Sequence, residues 1–366
     1  MIRILQMAGL NRGGLETFVM NVYRNIDRTK VQFDFLSHTP NGDYAQEVQS
    51  MGGRVYGIKP RNAGFFAYYK RLDKFFKEHA HEYQAIHMHT SSLSMASCLF
   101  YAKKYGIKVR IIHAHSSSIS GSKLNYILHF LTKPFVRFLA TDYLGCSDKG
   151  LDWLYKNTGI RHKAIMINNG IDTNLFRFSP TKREKVRNIL KIGKNTTVIG
   201  HVGRFFWVKN HKFLVNIFNV YHLKNKDSKL LLIGTGELEE EIRKQVKELR
   251  INDDVLFLGL RSDIPDLLQA MDIFIMPSFF EGLPVSLVEA QTSGLPVLAT
   301  DIISKDAQII DNFYTLSLSQ SAEDWANKIH TILNSYQRKD TSEATKRKGF
   351  DVKTTVSFLI NLYLKK

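Results

Sequence analysis

Two carboxylates, Glu281 and Glu289, stand eight positions apart in "FFEGLPVSLVEAQTSGLPVLATD", a stretch with few other polar side chains. The preceding "MDIFIMPS" reads as a buried strand, and "PVSLVEAQTSG" has the apolar spacing of a helix closed by Gly294. Glu281 then sits in the turn and Glu289 about one helical turn inside, so both could face one cleft from different heights. A turn followed by a solvated helix residue would have the same spacing. The backbone at Leu283, Pro284, Val285 and Ser286 opens the same helix, whose positive end suits an anion.

Upstream, "TVIGHVGRFFWVKNH" puts Arg204 and Lys209 five residues apart, at a strand end and a helix start. A guanidinium fork and a mobile ammonium beside a helix N-terminus suit a diphosphate. A solvated basic pair would have the same spacing. Gly13 and Gly14 in "GLNRGGLETFV", and Gly234 and Gly236 in "LLLIGTGELEEEI", are strand-end positions where a backbone can come close to a ligand. "AIHMHT" and "VRIIHAHSSS" each put two imidazoles on one strand face: His87 with His89, and His113 with His115. Four imidazoles could hold zinc or copper, but no cysteine or carboxylate follows at ligand spacing. Histidines satisfied by hydrogen bonds are the commoner arrangement, and no metal is expected.

The elements that must position these residues are short apolar runs alternating with amphipathic segments. "IRILQMAG", "VQFDFLSH", "AIHMHT", "VRIIHAHS", "YLGCS" and "AIMINNG" fill the first half; "TVIGHVGRF", "KLLLIGTG", "VLFLG", "IFIMPS" and "PVLATD" fill the second. Near-continuous apolar strands with helices between them are what a parallel sheet covered on both faces requires. The fold class is therefore α/β, with two doubly wound parallel-sheet domains. The polar, aperiodic "NNGIDTNLFRFSPTKREK" reads as the crossing, near residues 170–185. In such sheets ligands lie outside the carboxyl ends of the strands, where the residues above are found.

A chain of 366 residues exceeds what one core usually supports, which agrees with two domains. The net charge of +17 points to anionic partners. Two cysteines, Cys98 and Cys146, make no disulfide framework, and a reducing, cytosolic location is expected. The opening "MIRILQMAGL" is too short for a signal peptide, and no apolar run reaches the length of a membrane span. Residues 59–163 hold 17 Lys and Arg against 6 Asp and Glu, so most of the positive surplus lies there. In this window "FFAYYKRLDKFFKEH" and "LNYILHFLTKPFVRFLA" interleave aromatics with cations, which suits an anionic membrane surface, or a core face with snorkelling lysines. No nucleic-acid motif accompanies the charge.

"GRFFWVKNH", "GTGELEE" and "FFEGLPVSLVEAQTSGLPVLATD", in that order, resemble the donor domain of the GT-B glycosyltransferases of family 4, the glutamates matching its E-x7-E motif. "GLNRGGLETFVMNVYRNID", "INNGID…F" and the tail "VSFLINLYLKK" are similar too, so the resemblance covers nearly the whole chain, within a subgroup that makes bacterial capsular and extracellular polysaccharides. It implies two Rossmann-like domains: an acceptor domain over residues 1–172, completed by a C-terminal helix at about 350–366, and a donor domain over 173–349. It implies that Arg204 and Lys209 bind the diphosphate of a nucleotide sugar, a UDP-sugar by preference, with Gly13, Gly14 and the helix start at 283–286. Glu281 would hold hydroxyls of the transferred hexose and Glu289 the ribose. One histidine at an acceptor-domain strand end would contact that hexose and the leaving group: His115 matches best, with His113 in reserve. The family transfers with retention, by front-face displacement and without a bound metal. The acceptor implied is a polyprenyl-diphosphate-linked saccharide, met by a peripheral protein on the inner face of the cell membrane. A non-catalytic nucleotide-binding protein and a sugar-nucleotide epimerase on the same fold are the alternatives.

Overall fold

The computed structural model describes residues 1–116, 123–303 and 307–365. Ser117 and Ser118 of the "HAHSSS" run lie outside the described residues. The chain divides into two compact units, 1–170 with 352–366, and 171–351.

The first unit is built on β1 (Ile2–Met7), β2 (Val31–Ser37), β3 (Val55–Gly57), β4 (Ala85–Thr90), β5 (Val109–Ala114), β6 (Asp142–Gly145) and β7 (Ile165–Met166). They form one parallel sheet in the order β3-β2-β1-β4-β5-β6-β7. The central strands are buried at nearly every position because both faces are covered. Leu5, Met7, Ile86, Met88 and Ile112 enter one core; Ile4, Phe33, Phe35, Ala85 and Ile111 enter the other. The second core is roofed by the helices Gly14–Asn25 and Val352–Tyr363. The latter buries Val352, Val356, Leu359, Leu362 and Tyr363. Its start lies against Gly170, where a Cβ would stand 2.8 Å from the Val352 Cα, so the departing and returning strands of chain meet where no side chain fits.

The second unit carries β8 (Thr197–Val202), β9 (Ser228–Ile233), β10 (Val255–Phe257), β11 (Ile273–Met276), β12 (Val297–Thr300) and β13 (Phe313–Leu316), again parallel, in the order β10-β9-β8-β11-β12-β13. Each sheet contains the doubly wound order 3-2-1-4-5-6, so strand order reverses between β1 and β4 and between β8 and β11.

Sequence pattern and structure differ in two places. The segment expected to be an aperiodic crossing folds into the helices Thr173–Phe176 and Pro180–Ile189. Their caps explain this: the Asp172 carboxylate accepts from the amides of Asn174 and Leu175, and the Ser179 hydroxyl accepts from the amide of Lys182 with Pro180 at the first position. The strands β3 and β13 escape the reading because they are short sheet edges, with residues only partly buried.

Candidate active site

In the second unit the charged residues gather at the reversal point. Arg204 follows β8 by two residues, Lys209 closes the single turn Trp207–Lys209 that leads into the helix His211–Lys224, and Glu281 lies in the loop after β11. Lys209 Nζ and Glu281 Oε1 are 2.6 Å apart, with side chains only 19% and 13% exposed. This ion pair joins two loops 72 residues apart and is a contact that the sequence reading did not anticipate. It keeps the two groups at one point. Arg204 is exposed, its guanidinium 5.6 Å from the centroid of the Phe206 ring.

The helix Val285–Thr292 begins beside that pair, with Pro284 as its N-cap residue. One correction follows for the run 283–286: proline has no N–H, so Pro284 shapes the turn and the donors at this helix start are Leu283, Val285 and Ser286. Glu289, one turn on, is partly buried, and burial alone pushes its carboxyl up to about 7.

Gly234 and Gly236 are close-approach positions, but it is the protein's own backbone that approaches. A Cβ on Gly234 would strike the carbonyl of Gly203, and one on Gly236 that of Phe205, so these glycines let the loop after β9 pack onto the loop that carries Arg204. Gly234 also has φ +137°, a conformation that disfavours any side chain. Sequence reasoning missed two further features. Trp207 and Phe279 stack at 6.0 Å and stay 56% and 46% exposed beside the ion pair, with the Phe279 amide donating to the Val208 carbonyl. His201 and His211 are buried behind it, His211 stacked on Phe205 at 4.2 Å and held neutral by burial, its value lowered to about 4. The "GHV" and "NH" of the strand-end stretch were visible, but nothing local pairs them.

In the first unit Gly13 is the N-cap of the helix Gly14–Asn25. The space beside Gly13 is filled by the carboxylate of Glu16, which folds back over the helix start and also lies where a Gly9 side chain would be. The close approach read for Gly13 is thus made by an internal anion, whose carboxyl burial pushes up. Gly14 is exposed, with open space around it.

His87, His89, His113 and His115 come together on the face of the sheet covered by the helix Gly14–Asn25, with Phe18 from that helix packed against the last three. His113 is fully buried under Phe18 and neither ring nitrogen is hydrogen-bonded, which removes it as a residue able to meet substrate. His115 follows β5 at the carboxyl end of the sheet and is partly exposed. The nitrogens of His87, His89 and His113 fall within 4.8 Å of one another. Yet both nitrogens of His89 already bond, to Gln6 and His115, so three-histidine ligation would break one of those two hydrogen bonds.

Known proteins share this architecture. The description "Glycosyltransferase Family 4" matches residues 12–175 and "Glycosyl transferases group 1" matches residues 182–348. EpsF of Bacillus subtilis (strain 168), named as a glycosyltransferase, is 33% identical over 98% of this chain and 94% of its own. An Escherichia coli UDP-Gal:alpha-D-GlcNAc-diphosphoundecaprenol alpha-1,3-galactosyltransferase is 31% identical over 41% of this chain and 40% of its own. The Anabaena Alr3699/HepE crystal structure in complex with UDP and glucose superposes with TM-score 0.76 at 22% identity, covering 99% of each chain. With two family descriptions that tile the two units and a relative alike from end to end, this chain belongs to the family 4 glycosyltransferases and has the GT-B fold.

Proposed function

We propose that the protein moves a hexose or amino-hexose, with retention of configuration, from a UDP-sugar to a polyprenyl-diphosphate-linked saccharide during assembly of a bacterial capsular or extracellular polysaccharide. The observation that carries this reading is the Lys209–Glu281 pair at the reversal point of the second sheet, beside Arg204 and a helix N-terminus. Arg204, Lys209 and the amides of Leu283, Val285 and Ser286 face the diphosphate; Glu281 accepts from hexose hydroxyls and Glu289 from the ribose. As the bond from the anomeric carbon to the diphosphate breaks, these donors take up the charge that develops on the leaving oxygen. The acceptor hydroxyl adds to the same face and its proton passes to that oxygen. His115 contacts the transferred hexose, as the family resemblance implies. No metal enters the scheme, because cations and helix amides provide the counter-charge.

The lipid-linked acceptor is supported by the name of the Escherichia coli relative and by the surface of the first unit. On the helix Lys123–Thr132 only His129 is buried, while Leu124, Tyr126, Ile127, Phe130 and Leu131 are exposed, followed by exposed Phe135 and Phe138. An apolar face of this kind flanked by Lys123 and Arg137 suits the headgroup boundary of an anionic bilayer on the inner side of the membrane. Among the described residues no helix is long and apolar enough to cross a membrane.

A thermal-shift panel of nucleotide sugars, followed by hydrolysis and transfer assays with the one that stabilises most, tests the reading. Stabilisation by a UDP-sugar with transfer to a polyprenyl-diphosphate saccharide supports it. Nucleotide binding without transfer or hydrolysis would make the chain a binding protein, and interconversion of free nucleotide sugars an epimerase.

A further inference from the structure

Behind His115 a chain of buried hydrogen bonds crosses the covered face of the first sheet. His115 Nε2 and His89 Nδ1 are 2.9 Å apart, and His89 Nε2 and Gln6 Oε1 are also 2.9 Å apart. Gln6 Nε2 donates to the Tyr363 hydroxyl at 3.4 Å, and that hydroxyl lies 2.8 Å from His87 Nδ1. Gln6, His87 and Tyr363 are at most 1% exposed and His89 is 7% exposed, so the chain is closed to water along its length. Phe18 seals it from the side of the helix, its ring centroid 5.9 Å from His89 and 5.3 Å from His115.

Such a chain has a direction. Burial holds the imidazoles neutral, and a neutral imidazole has one N–H and one lone pair. An amide oxygen can only accept, so His89 Nε2 carries the proton that meets Gln6. His89 Nδ1 is then a lone pair, and the bond to His115 must be donated by His115 Nε2. The lone pair of His115 is left on Nδ1. The orientation of Gln6 decides this outcome, because reversing its amide reverses every bond between it and His115. Tyr363 selects the orientation: a hydroxyl that donates to His87 Nδ1, 2.8 Å away, can only accept from Gln6, which sets the amide nitrogen towards Tyr363 and the oxygen towards His89.

We propose that Gln6 and His89 are positioning residues that hold His115 as its Nε2–H tautomer, so that its Nδ1 accepts a hydrogen bond from a substrate hydroxyl. This rests on the role proposed above for His115 and narrows it: the partner is a hydroxyl of the transferred sugar, since an acceptor nitrogen would repel a phosphate oxygen. Tyr363, on the helix Val352–Tyr363, orients Gln6 and thereby acts on the site from the far end of the chain.

Long-range 1H–15N correlation on protein labelled with 15N-histidine tests the proposal, with the His115 signals assigned by their loss in His115→Ala. The expected spectrum has a protonated Nε2 and an unprotonated Nδ1 on His115. Gln6→Leu removes the acceptor and Tyr363→Phe removes the orienting hydroxyl. Each should mix the two His115 tautomers and lower turnover of the nucleotide sugar chosen by the thermal-shift panel by about tenfold, with KM unchanged; a wrong tautomer in a serine-protease triad costs about 10⁴. Gln6→Glu, which keeps an acceptor, should retain the tautomer, and with Tyr363→Phe it serves if Gln6→Leu does not fold. An Nδ1–H tautomer in the unmodified protein, or a His115 spectrum indifferent to folded Gln6→Leu or Tyr363→Phe, overturns the proposal. Full transfer by His115→Ala would instead overturn the role of His115 on which it rests, whatever its tautomer.

Discussion

At the scale of single residues, the Lys209–Glu281 pair is where the proposed function is most directly tested. A buried pair loses more when one member is removed than it contributes while intact, because the survivor is left uncompensated. Arg204→Ala should weaken UDP binding by the loss of a charge-assisted contact of roughly 1.5–3 kcal/mol, about 10- to 150-fold. Lys209→Ala should do the same and also cost stability, since Glu281 is 13% exposed. Titration calorimetry with UDP reads both, and an affinity like that of the unmodified protein in either variant would remove that residue from the diphosphate site. Glu289 brings a pH dependence. Its carboxyl titrates near 7, and only the ionised form accepts fully from ribose hydroxyls, so UDP affinity should rise several-fold from pH 6 to pH 8. Glu289→Gln should flatten that rise. Stability moves oppositely: between the ordinary carboxylate range and about 7 the folded state keeps a proton that the unfolded state has lost, so stability falls with rising pH in that window. Glu289→Gln should abolish that fall in pH-dependent melting. Because cations and amides supply the counter-charge, transfer should persist in EDTA; loss on chelation with rescue by a divalent ion would overturn the metal-free scheme.

At the scale of elements, two helices from the basic window 59–163 have different uses. The helix Phe65–His79 buries Tyr68, Leu72 and Phe76 in the core beside Ile86 and Met88, so its apolar stripe is packing, with Lys70, Lys74 and Lys77 outside it. Of its large apolar side chains, Phe65 and Phe66, at its start, are exposed. The helix Lys123–Thr132 has the reverse arrangement, and its apolar side chains need another cover. Ile127→Ser combined with Leu131→Ser should therefore reduce cosedimentation with anionic vesicles several-fold and leave the UDP thermal shift unchanged. Binding should also weaken as salt rises, since screening limits exposed charges to about 8 Å at physiological ionic strength. Equal binding to neutral vesicles, or none to either kind, would assign this surface to something other than an anionic bilayer.

At the scale of the molecule, the chain leaves its first unit at Gly170 and returns to it at Val352. The returning helix buries five apolar side chains, each worth roughly 1.5–3 kcal/mol, a sum comparable with the whole stability of a domain at about 5–15 kcal/mol. Deleting residues 352–366 should therefore unfold the first unit. Calorimetry should show its transition lost and that of the second unit kept, while two intact transitions would show the helix to be dispensable.

Much of this was legible before folding. Alternating apolar runs and helical periods encode which faces must be covered, so two parallel sheets and the placement of Arg204, Lys209, Glu281 and His115 at strand ends could be read along the chain. Two of the four sheet edges could not: β3 and β13 have three and four residues and only partial burial, and no clean alternation marks them. Nor does a local pattern say what covers a face. Phe65–His79 and Lys123–Thr132 both offer apolar side chains, and only the packed structure buries those of one and exposes those of the other. The same holds for the functional residues. Sequence determined that His113 and His115 share a strand face, but where β5 ends decided which of them is sealed: His113 lies within the strand and His115 just past it. Sequence determined that Lys209 and Glu281 exist at two strand ends, but the reversal of strand order between β8 and β11 brought them to 2.6 Å. Residue type and spacing set the chemistry a position can offer, and contacts between distant segments settle which partner meets it, because burial and pairing depend on neighbours that sequence separation does not specify.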